Sequence, residues 1–435
     1  MNQTPTKLVR TIGRWSLTAL MVNSIVGVSI FKLPADLARN LGGWSPLSCV
    51  AAGAGILIIA GCIAEVSSRY EETGGLYLYA RDALGQFAGL LVAWMTWLTR
   101  IAAPAAAANL IWSYAAKFLP QLENPTGKFL VLIVLMGHLA ALNCIGVKMG
   151  KNLSNLFTAV KVGFLLAFVI VGGLVLAGRP ELRVGITLPA VSAKTWFETM
   201  LLLVYAYGGF EGALFVGGES TNPKRDTPIA LLSALVGVCL IYTAVQYVTI
   251  ATLPGAAFSE RPLADAAQRF VGNTGAAAIA MAALISGYGY LSANVLHAPR
   301  LTFALAEQGD FPKFLALIHP KFRTPYVSIL VYSSLVFLFA MIGNFEWNAL
   351  LSAVSRLAVY AAMALAVPIL RNRKDGKAQF LLPVPYLFSA LGVLFSFALA
   401  TQMGRSEFVV MALTSAIALA NWAAVKRRGA AQQRG

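Results

Sequence analysis

One stretch, Met21-Val-Asn-Ser-Ile-Val-Gly-Val-Ser-Ile-Phe-Lys-Leu-Pro34, lies in the middle of an apolar segment that is long enough to cross a bilayer. It carries polar residues and glycine where a simple membrane anchor would carry leucine. A second segment, Leu201-Leu-Leu-Val-Tyr-Ala-Tyr-Gly-Gly-Phe-Glu-Gly-Ala213, is interrupted in the same way about 180 residues later. Because lipid offers no hydrogen bonds, the backbone freed by each break must line protein or a cavity. Two glycine-broken membrane helices at matching places in two halves indicate the substrate site of a transporter.

The composition favours a chain that crosses the membrane many times. Hydrophobic residues make up 58% of the 435 residues and charged residues only 12%, which is far less charge than a soluble protein carries. The net charge is +16, but the basic residues lie in short runs between apolar segments, so they favour a role in topology over nucleic-acid binding. The four cysteines fall in apolar runs, which argues against a disulfide framework. The polar, basic start lacks an apolar core, so we expect no cleaved signal peptide.

Apolar runs of about 18 to 25 residues predict twelve transmembrane helices. These spans lie near residues 14–39, 45–68, 86–118, 127–146, 152–178, 195–217, 228–253, 275–305, 326–343, 347–370, 380–400 and 407–425. An even number of spans puts both termini on one side. Lysine and arginine are more frequent in the segments on that side, with Lys426-Arg-Arg428 as a clear run, so the positive-inside rule places both termini in the cytoplasm. We therefore expect a multi-pass protein of the cell (inner) membrane.

The predicted architecture is an all-α polytopic membrane protein whose residues 1–435 form a single transmembrane domain. Spans 1–5, at about 13–178, and spans 6–10, at about 192–370, form two halves of five helices. Helices 1 and 6 are discontinuous, and two further helices follow at about 380–426. The repeat is inferred from the matched breaks, because the halves show no direct similarity by eye.

Several motifs resemble those of the amino acid–polyamine–organocation (APC) superfamily of transporters. The first is the broken helix with Ile25-Val-Gly-Val-Ser-Ile-Phe31 ahead of Leu33-Pro34, although the family usually has a second glycine where this chain has Ser29. The others are Ala64-Glu-Val-Ser-Ser-Arg-Tyr-Glu-Glu-Thr-Gly-Gly-Leu-Tyr-Leu-Tyr-Ala80, Tyr207-Gly-Gly-Phe-Glu-Gly212, Gly218-Glu-Ser-Thr-Asn-Pro-Lys-Arg-Asp-Thr-Pro228, Ala298-Pro-Arg-Leu-Thr-Phe-Ala-Leu-Ala306 and Gly309-Asp-Phe-Pro312. The resemblance covers nearly the whole chain in order. It implies a fold of two inverted five-helix repeats.

The two breaks predict a site for the backbone of an amino acid. A helix N-terminus favours an anion, and the carbonyl end of the preceding half-helix suits an ammonium group. An α-amino acid carries both charges close together, so paired half-helix ends suit it. The alternative is that the glycines only allow close helix packing. The residues assigned to this backbone site are Val26, Gly27, Val28, Ser29, Ile30, Gly208 and Gly209.

Two charged residues are candidates for coupling and gating. Lys161 lies within span 5, where a lysine costs about 2.5 to 3.5 kcal/mol on insertion scales, so it needs a partner or a purpose. The resemblance implies that a lysine at this place in span 5 replaces a sodium ion and contacts the first helix in sodium-independent members of the family. Lys161 could be a fixed bridge or a group that exchanges a proton. Glu211 follows the second break and either ties unwound backbone together, which we favour slightly, or acts as a gating acid.

Other polar residues in the spans carry weaker predictions. Arg100 in span 3 either pairs with Glu211 or another acid, which we favour, or holds a second carboxylate of the substrate. Tyr205 and Tyr207 form an aromatic lid by resemblance, or else pack at a helix interface. Asn294 faces the pocket from span 8. Glu65 is expected to be a solvated gate or salt-bridge residue, and Arg356 a structural or gate residue.

These features together predict a secondary active, sodium-independent amino acid transporter that works by alternating access, as a uniporter, a proton symporter or an exchanger. We expect a neutral amino acid as substrate. The alternatives are an acidic amino acid, a polyamine or organic-cation antiporter, and a nutrient sensor on the same fold. An enzyme is disfavoured because the intramembrane ionisable groups are few. The sequence shows neither a metal cluster nor a nucleotide loop, so no cofactor is expected. The expected partners are the substrate and the lipid bilayer, without nucleic acid; a homo-oligomer stays open.

Overall fold

A computed structural model describes residues 13–70, 75–146, 151–214, 220–373 and 378–432. Every regular element in these ranges is a helix. Residues 71–74 and 218–219, which belong to two of the family-like motifs, lie outside the described residues. The predicted all-α class is confirmed.

The described residues of the first half of the chain form seven α-helices and include the first predicted break. They are α1 (Arg14–Ile25), α2 (Leu33–Leu41), α3 (Ser45–Ser67), α4 (Gly75–Leu84), α5 (Gln86–Phe118), α6 (Pro125–Cys144) and α7 (Lys151–Gly178). Between α1 and α2 the chain leaves the α-helix and makes one 3-10 turn at Ser29–Phe31. Pro34 lies in the first turn of α2, where its missing N–H costs no helical hydrogen bond. The first span is thus broken where the glycine and serine interrupt it.

The second half repeats this pattern with a break between α8 and α9. Its helices are α8 (Ala193–Tyr207), α9 (Phe210–Leu214), α10 (Pro223–Thr252), α11 (Pro262–Val271), α12 (Asn273–Glu307), α13 (Tyr326–Ile342) and α14 (Phe345–Arg371), followed by α15 (Pro385–Ala400) and α16 (Arg405–Gln432). Gly208 and Gly209 are the two residues between α8 and α9. The apolar runs predicted neither α4 nor α11, because each is a short helix in a segment expected to be a loop.

Eight apolar runs among the described helices are long enough to cross a membrane by length and composition, with Leu33–Ser67 counted as one run. The apolar helices α13 and α15 are shorter. The broken spans are divided into short helices, and a count that requires a minimum helix length leaves such short helices out. The number of twelve spans therefore stays a prediction, while the multi-pass character follows from the long helices.

The two broken spans lie at the centre of the packing. Helix α1 packs against α10 and α9, and α3 packs against α10 and α8. Helix α14 packs against α5, α3 and α8, and α15 covers α14 and α3. By contrast, α16 contacts mainly α5 and leaves most of its surface exposed. Both breaks are thus enclosed by other helices, which is where unpaired backbone can be satisfied.

Glu65 is a salt-bridge residue, as one of the two alternatives expects, but it is buried and not solvated. It lies near the end of α3 at 0% exposure and accepts hydrogen bonds from Arg371 Nε at 2.6 Å and Arg371 Nη2 at 2.8 Å. The backbone N–H of Leu382 also donates to this carboxylate, at 2.9 Å. A bidentate, charge-assisted pair of this kind is strong and directional. It joins α3 and α14 to the segment ahead of α15, so it attaches the C-terminal helices to the preceding helices.

Candidate functional site

The backbones of the two breaks touch each other at Gly209. This residue has φ +115°, in a region that favours glycine. A Cβ atom placed on Gly209 would collide with the carbonyl oxygen of Ser24, in the last turn of α1. Glycine is therefore required here both for the backbone angle and for the close approach of the two half-helices.

The Gly209→Ala variant should be folded but clearly less stable than wild type. A left-handed backbone angle in a residue other than glycine costs about 1–3 kcal/mol, and the collision with Ser24 adds to that cost. The midpoint of thermal unfolding in detergent measures the effect. Gly173→Ala is the matched control, because Gly173 is an exposed glycine of α7 with open space around it. Equal stability of both variants would contradict the close contact.

Built-in groups occupy the carbonyl end of α1. Lys161 is buried on α7, and its Nζ donates to the carbonyl oxygen of Asn23 at 2.5 Å. The hydroxyl of Tyr242, on α10, lies 3.3 Å from the carbonyl oxygen of Ile25 and 3.2 Å from that of Ala206. The last carbonyls of a helix have no partner within it, so these side chains satisfy them. Tyr242 thereby links the carbonyl ends of α1 and α8.

The break after α8 is held by a buried network around Glu211. Its Oε2 accepts from the backbone N–H of Gly209 at 2.7 Å, and its Oε1 accepts from the hydroxyl of Tyr360. The Nε of Arg356 lies 3.1 Å from Oε1, and Arg356 Nη1 donates to the carbonyl oxygen of Tyr205 at 3.3 Å. These contacts are the ones that a structural tie at Glu211 requires. The gating alternative stays a prediction.

The space beside the predicted site glycines differs between the two breaks. A Cβ atom on Gly27 would meet only the carbonyl oxygen of Ile25, at 3.8 Å, and Cδ2 of Tyr290, at 3.9 Å. A Cβ atom on Gly208 would fall on the guanidinium group of Arg356. The first break therefore accepts a Cβ atom beside its glycine at ordinary contact distances. At Gly208 a Cβ atom would meet a protein side chain, while substrate backbone at the two breaks stays a prediction.

The residues after the first break form a buried turn. The side chains of Val26, Val28, Ser29 and Ile30 are each less than 5% exposed. The N–H of Phe31 donates to the carbonyl oxygen of Val28 at 3.1 Å, which closes the first turn. The amides of Val28, Ser29 and Ile30 precede that closure and have no partner within the turn. They are the donors that an anionic group could meet.

The other predicted side chains lie around the breaks in different ways. The hydroxyl of Tyr207 donates to the carbonyl oxygen of Cys49 at 2.8 Å, and its ring is fully buried, as the packing alternative expects. Tyr205 is buried with its ring 5.8 Å from that of Phe345, edge to face. Asn294 donates to the carbonyl oxygen of Tyr290 at 2.9 Å, within α12. The donors of Tyr207 and Asn294 are thus used within the protein.

Arg100 lies close to the second break, beside α9. Its Nη2 is 3.8 Å from the place of a Cβ atom on Gly212, and its backbone carbonyl accepts from Tyr332 at 2.7 Å. Its charged and phenolic neighbours include Glu211, Tyr332, Tyr290 and Arg356. Within 4.0 Å, the described ion-pair partner of Glu211 is Arg356. The prediction that Arg100 pairs with Glu211 or another acid, or else holds a substrate carboxylate, stays a prediction.

Three tyrosines at the site, Tyr242, Tyr290 and Tyr360, were not predicted from the sequence. One available signal was the helical spacing of polar residues inside apolar spans. Arg356 and Tyr360 are four residues apart and therefore share one face of α14. Tyr242 and Gln246 share a face of α10 in the same way, and Gln246 Nε2 donates to Ser45 Oγ at 2.8 Å.

Comparison with known proteins gives consistent matches along the chain. A sequence profile described as amino acid permease matches residues 12–418. The chain is similar to the methylthioribose transporter of Bacillus subtilis, 28% identical over 416 residues that cover 90% of this chain and 89% of that protein. It is 27% identical to a serine/threonine exchanger of the same organism, over 86% of each chain. It is 25% identical to the vacuolar cationic amino acid transporter 4 of Arabidopsis thaliana, over 85% of this chain and 64% of that protein.

Proposed function

Because the chain belongs to the amino acid permease family, we propose that it is a secondary active transporter of neutral amino acids that works by alternating access without sodium. The membership confirms the resemblance drawn from the motifs, and it makes the protein a multi-pass member of a family of transporters, not of enzymes. The relatives support amino acid transport, but their names range from methylthioribose through serine and threonine to cationic amino acids. The substrate and the mechanism are therefore our proposals.

The meeting of the two breaks carries this proposal. Gly209 brings the second break against the last turn of α1, and a Cβ atom on Gly27 would make no collision. The backbone amides at the start of the turn Ser29–Phe31 lie at a helix N-terminus, and such a position favours a carboxylate. The ammonium group of an α-amino acid bound in this way would then lie near the carbonyl oxygen of Ile25, which is 3.8 Å from a Cβ atom on Gly27, and away from the Asn23 carbonyl oxygen that Lys161 contacts. We assign the substrate backbone to this place, with Gly27 as its centre.

Lys161 supports independence from sodium. Its ammonium group lies against the carbonyl oxygen of Asn23 at 2.5 Å, so a built-in cation already serves the end of α1. A metal ion at that place would meet a like charge at close range. We propose that Lys161 replaces a sodium ion and keeps α1 attached to α7 through the cycle. Two measurements distinguish a uniporter, a proton symporter and an exchanger: the dependence of uptake on pH, and its dependence on substrate inside the vesicle.

Two ion pairs are candidates for gates at opposite ends of the first span. Arg14 Nε lies 3.1 Å from Asp226 Oδ1, and this pair joins the start of α1 to the start of α10. Lys32 Nζ lies 2.9 Å from Glu260 Oε2, beyond the break. With both termini in the cytoplasm, the first pair belongs to the inner side and the second to the outer side. Alternating access then requires that the two pairs open in turn.

A ligand screen followed by transport tests this function directly. The purified protein should gain thermal stability with leucine or serine, because a ligand that binds only the folded state raises its melting point. Labelled uptake into proteoliposomes then separates a transporter from a sensor on the same fold, which would bind without moving the ligand. Stabilisation by polyamines alone would contradict the proposed substrate class.

The Arg100→Ala variant should lower the uptake of every transported amino acid by a similar factor. We assign Arg100 to the support of α9 beside Gly212, and not to a substrate carboxylate. Losing a charged hydrogen-bonding group costs about 1.5–3 kcal/mol, or roughly 10- to 150-fold in affinity. Competition of labelled uptake with glutamate, leucine and arginine measures the change. A loss confined to glutamate and aspartate would show that Arg100 holds a substrate side chain.

A further inference from the structure

We propose that Arg356 sets the charge selectivity of the transport site, because it fills the carbonyl end of α8 with a built-in cation and so excludes substrates with cationic side chains. This inference rests on the proposed function and concerns the same site. It is informative because members of the family are named for substrates of different charge. Two features carry it: the position of the Arg356 guanidinium, and the charges that act on Tyr290 beside Gly27.

The guanidinium group of Arg356 occupies the place where a ligand cation would lie. It packs closely on Gly208, so that a Cβ atom there would collide with its Cζ, Nη1 and Nε atoms. Its Nη1 donates to the carbonyl oxygen of Tyr205, in the last turn of α8. The C-terminal end of a helix carries a partial negative charge that attracts cations. Arg356 satisfies that end from within the protein, as Lys161 does at the end of α1.

The pairing with Glu211 keeps the guanidinium in this place. Arg356 is 5% exposed, and its Nε lies 3.1 Å from Glu211 Oε1, which also accepts from Tyr360. Since Arg356 and Tyr360 lie one helical turn apart, α14 presents both to the same carboxylate. Removing one partner of a buried pair leaves an uncompensated charge. The Glu211 carboxylate would therefore attract another cation if Arg356 were neutral.

The charges that act on Tyr290, which lies beside Gly27, include more positive than negative groups among the described residues. Cδ2 of Tyr290 lies 3.9 Å from a Cβ atom on Gly27. The charged neighbours of Tyr290 are Arg356, Arg100 and Glu211. A substrate whose backbone lies at Gly27 thus brings its side chain toward two guanidinium groups and one carboxylate. An added cation there meets like charge in a site with little water, which favours neutral side chains over cationic ones.

Neutralising Arg356 should reverse this preference. In Arg356→Gln, Glu211 and the carbonyl oxygen of Tyr205 face a space of the size of a guanidinium group. Arginine should then stabilise the variant in thermal-shift titrations at concentrations about 10- to 100-fold lower than wild type requires, if it acts on wild type at all. Arg356→Lys keeps the cation and should keep the wild-type preference for leucine or serine.

Two further variants separate selectivity from stability. Glu211→Gln combined with Arg356→Gln removes both charges together, so no unpaired charge stays buried. The gain of arginine binding should then vanish. Arg371→Gln is the matched control, because Arg371 is another arginine of α14 that pairs with a buried carboxylate, far from the breaks. It should change stability without changing the order of ligands.

Three results of the titrations would overturn the inference. The first is that arginine stabilises wild type as well as leucine does, and the second is that Arg356→Gln changes its response to leucine and arginine by the same factor. The third is that the double variant, Glu211→Gln with Arg356→Gln, keeps the gain of arginine binding. The proposed function fails separately, if no amino acid of any charge is taken up by wild-type proteoliposomes. A gain of arginine binding in Arg356→Gln would support the role of Arg356 even then, because the readout is binding and not transport.

Discussion

The Gly27→Leu variant should take up no amino acid above background, although it folds and reaches the membrane. The surroundings of Gly27 leave room for a Cβ atom, since the nearest atoms are 3.8 and 3.9 Å from it. The rest of the leucine side chain should fill the space that we assign to the substrate backbone. Labelled uptake into proteoliposomes measures the loss, and the melting midpoint measures the fold.

A graded series distinguishes blocked binding from general damage. Gly27→Ala adds one carbon atom and should retain a reduced rate of uptake. Gly208→Leu should instead unfold or lower the melting midpoint, because its side chain would collide with Arg356. Gly173→Leu, at an exposed glycine of α7, should behave as wild type in both assays. Wild-type uptake by Gly27→Leu would show that the substrate lies elsewhere.

The Lys161→Ala variant should lose transport far more than it loses expression. The ammonium group of Lys161 is the partner of the Asn23 carbonyl oxygen at the end of α1. Its removal costs about 1.5–3 kcal/mol at this contact, which corresponds to roughly 10- to 150-fold in the equilibrium that positions α1. Initial rates of uptake in sodium-free buffer, normalised to folded protein, measure the effect.

Lys128→Ala provides a control with the same type of contact at another place. Lys128 Nζ donates to the carbonyl oxygen of Gly343 at 2.9 Å, just beyond the end of α13. Its loss should leave the uptake rate per folded molecule close to that of wild type. Equal losses in the two variants would reduce Lys161 to a general stabilising lysine. Uptake that required sodium would remove the role that we assign to it.

The positions of both breaks could be predicted from the sequence, because glycine and polar residues inside an apolar run disfavour a continuous spanning helix. The positions of the long helices could be predicted from the length of the apolar runs themselves. Helices α4 and α11 could not be predicted in this way, since they are short and lack a long apolar run. Helix α4 packs against α5 and α11 packs against α12, and a search for apolar runs of membrane-spanning length does not detect short amphipathic helices of this kind.

The partners of the charged residues were harder to predict than their presence. Arg100 and Arg356 are both arginines inside apolar spans, and the sequence does not show which of them faces Glu211. The difference depends on the rotation of α5 and α14 about their axes. The burial of Glu65 has a similar cause, because its partner Arg371 is 306 residues away in the chain. The sequence shows which residues share one face of a helix. It does not show which residues of two distant helices pair with each other.

Counterflow in sodium-free proteoliposomes tests the central claim most directly. Vesicles that contain the purified protein and excess unlabelled leucine or serine are diluted into a trace of the labelled amino acid. We predict a transient, saturable accumulation of label that needs neither sodium nor nucleotide and is absent with Gly27→Leu. No accumulation with any amino acid, or accumulation only when sodium is present, would contradict the proposed mechanism.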